Sequence, residues 1–222
     1  MKLILPRDHF SYSQYNLWQQ NKNQYRARYY ENLPGFESTE TIFGKRIARM
    51  LESGEHNAVL DRLPRYIDAM EHRAEVKIGG YPFLGYFDSF SKRRKAIIEY
   101  KTGHVLWDQA RVQKHDQLVI YSLLCKRAYK KTDPFIRLVW LETRYRREKQ
   151  FFGSVEMEAQ SNELELTGVI KIFKRKIRQW ERDLMRKKII HCMKEISDDY
   201  AEYRKNISSG CQEIMDYAQK GS

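Results

Sequence analysis

Aromatic and apolar positions recur with helical spacing in the first part of the chain. Between Phe10 and Asn32, Tyr15, Trp18, Tyr25 and Tyr29 follow one another at three, seven and four residues, the stripe of one helix face. Ser11 or Ser13 can cap this helix, and Leu33-Pro34-Gly35 breaks it. Ser38 and Thr39 precede a second helix whose inner face is Ile42, Phe43, Ile47, Met50 and Leu51. A third, shorter amphipathic stretch runs over 57–69.

The middle of the chain changes period. Glu75–Ile78, a Gly79-Gly80 turn and Phe83–Ser89 predict a β-hairpin. Lys95–Tyr100, with Ala96, Ile97 and Ile98 in a row, predicts a strand buried on both faces. Asp108–Ala128 predicts a helix with Val112, Leu118, Ile120, Tyr121 and Leu124 inward. Phe135–Glu142 returns to strand, and Gln150–Val155 adds an edge strand. Strands, helix, strand make a mixed α/β core. From Thr167 the spacing of Val169, Phe173, Ile177, Trp180 and Leu184 predicts a long helix with Lys171, Lys174, Arg175, Lys176 and Arg178 between. That basic face is either solvated surface or an arm along a nucleic-acid backbone.

Composition narrows the class. The chain has 222 residues, 41% hydrophobic and 32% charged, without repeat or Gly/Ser-rich linker, which suits one soluble domain. We expect a core over 1–160 and a helical extension over 161–222. No apolar run approaches the roughly 20 residues of a membrane span, so no membrane partner is expected. Met1–Arg7 is too short in its apolar part for a signal peptide. Cys125, Cys192 and Cys211 make no disulfide framework, which leaves the cytoplasm as the expected location. Forty-one Lys and Arg against 29 Asp and Glu, a formal charge of +12, point to a polyanionic partner.

The chemistry concentrates in Gly85-Tyr86-Phe87-Asp88 and Glu99-Tyr100-Lys101. Glu99 and Lys101, two apart on a strand, share a face. Pairing of the two strands brings Asp88 beside Glu99. Two carboxylates and a main-chain carbonyl make a hard oxygen site for Mg²⁺ or Mn²⁺. The Lys101 ammonium can handle a water or steady charge on a phosphate. The simpler reading is a solvated strand end with a salt bridge. His104, His115 and His191 lack zinc spacing, and no Gly-rich phosphate loop is present, so no nucleotide cofactor is expected.

Taken in order, these segments resemble the PD-(D/E)XK nuclease superfamily, in its RecB-like exonuclease branch with the phage recombination nucleases. Ser11-Tyr12-Ser13 through Trp18, with Tyr25 and Tyr29, looks like the branch's opening helix. Phe43-Gly44 through Glu52 looks like its Gly-x3-His helix, Gly85–Asp88 and Glu99–Lys101 like its two metal motifs, and Gln117–Tyr121 like its Gln-x3-Tyr motif. The resemblance spans nearly the first 155 residues. Its histidine falls on Ala48; Glu52, one turn on, is the substitute expected from this helix.

The resemblance implies a mixed central β-sheet flanked by helices, carrying a metal-dependent deoxyribonuclease of recombination, repair or phage DNA processing. Asp88, Glu99, the Tyr100 carbonyl and Glu52 would hold Mg²⁺ or Mn²⁺. Lys101 would be the catalytic lysine, with Gln117 and Tyr121 lining the site. Ser13, Lys45, Arg46 and His115 would approach DNA, joined by Lys171, Lys174, Arg175 and Arg178. Linear DNA, duplex or single-stranded, is the expected substrate, in the cytoplasm or a host's, near the nucleoid. A recombination or helicase partner and a homo-oligomer stay open. Four cysteines hold an iron–sulfur cluster in some relatives; three at these positions exclude it. The alternatives are a structure-specific or restriction endonuclease, and a catalytically weak DNA-binding protein that keeps the fold.

Overall fold

Ala96, Ile97, Ile98 and Glu99 are all buried, so strand β4 (Ala96–Gly103) is covered on both faces, as a run without polar alternation requires. The structure, a computed structural model, describes residues 3–65, 70–129, 133–152 and 155–220, with side chains for all of these but 148–152, 155–160 and 210–220. It is a mixed α/β fold with a six-stranded sheet flanked by helices. The strands are β1 (Phe10–Ser11), β2 (Met70–Ile78), β3 (Tyr81–Ser91), β4, β5 (Phe135–Phe152) and β6 (Val155–Arg175). Their order is β1-β3-β4-β5-β6, with β2 also paired to β3. β3–β4 and β5–β6 are antiparallel; β1–β3 and β4–β5 are parallel. The β2–β3 hairpin turns on Gly79 and Gly80, both at positive φ (61° and 85°), the backbone a two-residue turn demands.

The chain divides into two compact units. One comprises Met1–Gly35, Glu75–Leu84 and Asp183–Ser222. It contains α1 (Tyr12–Gln20), α2 (Lys22–Tyr29) and most of α6 (Gln179–Lys220). Ser11 caps α1, and Asn21 ends it and caps α2, so the predicted single helix is two. The aromatic stripe is core here: Trp18 meets Tyr25 edge-on at 5.2 Å, and Tyr30 packs on Tyr200 and Tyr203. Asp199 fastens the helices, accepting from Arg26 (Nε, 3.0 Å) and from the Tyr30 hydroxyl (2.9 Å).

The other unit, Phe36–Ala74 and Gly85–Arg182, holds α3 (Thr39–Ser53), a short 3₁₀ turn (Leu60–Arg62), α4 (Gln109–Gln113) and α5 (Asp116–Tyr129). Ile47 and Leu51 of α3 pack with Leu60 and Leu63 against Ile98, Val139 and Leu141 of the sheet. Among the described residues of the third amphipathic stretch, only Leu60–Arg62 is helical; 66–69 lie outside the described residues.

Three further elements differ from expectation. The predicted helix from Thr167 is strand as far as Arg175, and the C-terminal helix begins at Gln179. Val169 and Phe173 are four apart, which shares a face in a helix and equally in a strand. The partner decides: Phe173, Ile172 and Ile170 pair with Leu138, Val139 and Leu141 of β5. For the same reason Gln150–Val155 is not a separate edge strand. Its described residues belong to one long β5–β6 hairpin that pairs out to Phe152↔Val155; 153 and 154 lie outside the described residues. Finally, Asp108–Ala128 is broken between α4 and α5. Buried Arg175 takes the Val112 and His115 carbonyls (3.0 and 2.8 Å), which a continuous helix would need for its own N–H groups. Among the described residues no helix is long and apolar enough to cross a membrane.

Candidate active site

The geometry begins with a glycine. A Cβ on Gly85 would stand 2.5 Å from Leu124 Cδ1, so only glycine lets β3 lie this close to α5. Three residues on, β3 parts from β4. Ser89↔Ile98 is the last pair of the ladder, and the next step of that register sets Asp88 opposite Glu99. The Asp88 side chain occupies the gap, accepting the Tyr100 N–H at 2.7 Å.

Lys101 follows two residues after Glu99. Its Nζ lies 2.6 Å from Glu99 Oε1 and donates to Gln117 Oε1 at 2.9 Å. Gln117 Nε2 donates in turn to the Tyr121 hydroxyl at 2.7 Å. Gln117 and Tyr121 are one turn apart on α5 and both buried, so helix packing fixes the direction of the lysine head. Glu99 is 2% exposed, and its Oε2 is buried without a hydrogen-bond partner.

Charge is crowded here. Loss of water and the Glu99 carboxylate push Asp88 well above the usual carboxylate range, against the pull of the Tyr100 N–H and Lys101. Burial, with Glu99 and Asp88 adding to it, holds the Tyr121 hydroxyl firmly protonated. Burial also brings His115 down to about 3, with Lys101, Arg175 and Arg111 contributing, so its ring stays neutral beside Trp107.

A cavity of about 410 Å³ opens on this constellation. Asp88, Tyr100, Lys101 and Thr102 line one part; Glu40, Thr41, Gly44, Ile47, Ala48 and Leu51 of α3 line another; Met70 and Glu71 of β2 complete it. Glu52 is not in the lining and is exposed. Sequence reasoning does not single out Glu71. A lone acidic residue at a strand start has no period or spacing to mark it. Its carboxyl is raised by burial, by Glu52 and by Glu99.

The donor set suits a hard divalent cation. Two carboxylates side by side, one oxygen of Glu99 orphaned in the interior and Asp88 driven toward its protonated form describe a charge deficit that Mg²⁺ or Mn²⁺ would fill. Among the described residues no three Asp, Glu, His or Cys side chains converge into a ready-made cluster. Remaining positions would fall to the Tyr100 carbonyl, water and substrate oxygens.

The other expected residues are scattered. Ser13 is exposed on α1, in the helical unit, and Ser11 rather than Ser13 is the cap. Lys45 is paired with Glu37, and Arg46 is exposed on α3. Lys171 and Lys174 are exposed on strand β6, and Arg178 is exposed just before α6. Arg175 is 3% exposed and held by Glu181 at 2.9 Å, which removes it from any surface that could meet a phosphate.

No protein-family model and no curated protein matches the sequence. A solved structure of a candidate exonuclease from Eubacterium rectale matches with a TM-score of 0.56 and 9% identity, over 90% of this chain and 82% of that one. The structure of SSO0001 matches with a TM-score of 0.45 and 14% identity, over 84% and 76%, too distant to bear weight. What the first likeness establishes is a shared fold.

Proposed function

We propose that the chain is a metal-dependent deoxyribonuclease, an exonuclease acting on linear DNA. The observation that carries this reading is the Lys101 ammonium 2.6 Å from buried Glu99, with Asp88 opposite Glu99, and with Asp88 and Lys101 lining one cavity. The fold shared with a candidate exonuclease supports it, as does the formal charge of +12 for a polyanionic substrate.

In this reading Asp88, Glu99 and the Tyr100 carbonyl hold Mg²⁺ or Mn²⁺. When bound, the cation supplies Lewis-acid polarisation of a phosphoryl oxygen. The chain's own residues do the rest. Lys101 presents its ammonium to the scissile phosphate and steadies charge developing on the non-bridging oxygens. Gln117 and Tyr121 restrict that ammonium to one direction, which lowers the ordering cost of reaching the transition state. Neutral His115 lacks the charge to compete with Lys101 for the phosphate.

A second reading, a weakly catalytic DNA-binding protein that keeps the fold, draws on Ala48, a cavity wall without a donor, and on the absence of a three-ligand cluster among the described residues. Linear and covalently closed circular DNA incubated with Mg²⁺, Mn²⁺ or chelator separate the readings. The proposal expects loss of linear DNA alone, abolished by chelation. Digestion of closed circles would mean an endonuclease, and binding without cleavage would mean the weakly catalytic scaffold.

A further inference from the structure

Glu71 enters β2 at φ +46°, a left-handed backbone conformation that few residues other than glycine adopt. Such a conformation persists where its surroundings impose it, and functional sites are where it concentrates. Here it sets a carboxylate on the wall of the cavity that Asp88, Tyr100 and Lys101 also line.

The charge balance asks what this third carboxylate is for. Glu71, Asp88 and Glu99 carry three negative charges when ionised, and Lys101 is the one cation of the described lining. Glu40, on the α3 wall, is bonded to the Tyr145 hydroxyl at 2.6 Å and is not among the charges that move Asp88. A phosphate diester brings another negative charge and would be repelled. Glu99 Oε2, buried and without a hydrogen-bond partner beside Lys101, independently leaves acceptor capacity that a cation could take up. Glu71 does not converge with Asp88 and Glu99 into a three-ligand cluster, so direct coordination is not its role. Mg²⁺ characteristically keeps several waters and is held by one or two carboxylates. The remaining carboxylate of such a site works through those waters.

We propose that Glu71 is a positioning residue for the catalytic cation, accepting hydrogen bonds from its water shell and so setting its affinity. This rests on the nuclease reading, and it assigns the site a third acidic residue that belongs to neither metal motif of the sequence. Ala48 and Leu51, beside it in the wall, have no side-chain donor or acceptor to do this work.

Mn²⁺ binding to the full chain, followed by electron paramagnetic resonance of free Mn²⁺ without DNA, tests it. Glu71→Gln should weaken Mn²⁺ about 10–100-fold, the range for loss of an outer-sphere partner. Glu71→Asp, which keeps the charge and tolerates the left-handed backbone, should recover most of the affinity, a rescue that a packing role would not give. Asp88→Asn should lose binding altogether. Cooperative melting of each variant in chelator shows that it is folded. Parental affinity in Glu71→Gln, with Asp88→Asn impaired, overturns the role of Glu71 and leaves the nuclease reading standing. No Mn²⁺ binding by the parent overturns both.

Discussion

Gly85→Ala tests whether the Gly85-Tyr86-Phe87-Asp88 segment keeps its glycine for packing. The added methyl would stand 2.5 Å from Leu124 Cδ1 and 3.9 Å from Tyr121 Cε1. Carbon atoms in contact prefer about 3.5–4.0 Å, so roughly 1 Å of displacement must be found. Leu124 is 0% exposed and Tyr121 5%, so it must come from a rotamer change in a filled core or from moving α5 off the sheet. Overpacking of this kind costs about 1–3 kcal/mol. At about 2–4 °C per kcal/mol for a chain of this size, the melting temperature should fall by about 2–12 °C. Because α5 also carries Gln117, the same displacement should loosen its 2.9 Å bond from Lys101 and lower cleavage beyond what stability explains. A double-mutant cycle isolates the cause. Leu124→Ala alone should cost about 2–5 kcal/mol by opening a cavity. In that background Gly85→Ala should cost less than about 0.5 kcal/mol, leaving a coupling of at least about 0.5 kcal/mol. Equal loss in both backgrounds, or a parental melting temperature for Gly85→Ala alone, would refute the contact as the reason for the glycine.

Other outcomes follow from the same geometry. In chelator, Asp88→Asn should raise the melting temperature. Folding lifts the Asp88 pKa above its ordinary 3.8, so the folded state holds a proton the unfolded state releases, and stability drains as pH rises from about 4 through the folded value. A variant that tracks the parent at every pH would count against this. Lys101→Met should cut single-turnover cleavage at least ~100-fold with DNA binding nearly kept; parental cleavage would make Lys101 a bystander. Arg175→Met should cost about 3–5 kcal/mol by denaturant titration, since it strips Glu181 and two carbonyls of a buried partner. Lys171→Ala with Lys174→Ala should leave stability within about 0.5 kcal/mol. The pair should also flatten the salt dependence of DNA binding by about one log–log unit for each phosphate no longer neutralised, and an unchanged slope would remove β6 from the DNA surface.

The hairpin and the central strand were legible because their signals are local. Gly79-Gly80 needs positive φ, and Ala96-Ile97-Ile98 needs cover on both faces, whatever the rest of the chain does. The C-terminal segment was not legible, because a spacing of four satisfies a helix and a strand alike. What settles Val169–Arg175 is hydrogen bonding to β5, some thirty residues earlier in sequence, and a single chain does not display pairing at that range. The break before α5 has the same character. It depends on Arg175 reaching back 60 residues to the His115 carbonyl, and a basic residue read as surface charge turned out to be a buried clasp.

The same division runs through the site. Asp88, Glu99 and Lys101 stand out because strand alternation fixes their mutual direction, and Gln117 and Tyr121 because one helical turn does. Glu52 shows where such arithmetic stops. Each residue advances about 100° around α3, so Glu52 lies about 40° beyond Ala48, which is already near one edge of the cavity-facing sector set by Glu40, Thr41, Gly44, Ile47 and Leu51. That drift carries its carboxylate out into solvent, just ahead of the Gly54 cap. Glu71 is the converse case: no period points to it, and one left-handed backbone step places it on the cavity wall. A carboxylate placed by a single dihedral is found by asking which charges share a cavity. Around Asp88 the acting charges are the carboxylates of Glu99 and Glu71 and the single ammonium of Lys101, while Glu40 on the same wall is engaged by the Tyr145 hydroxyl, so negative charge is in excess wherever these carboxyls ionise.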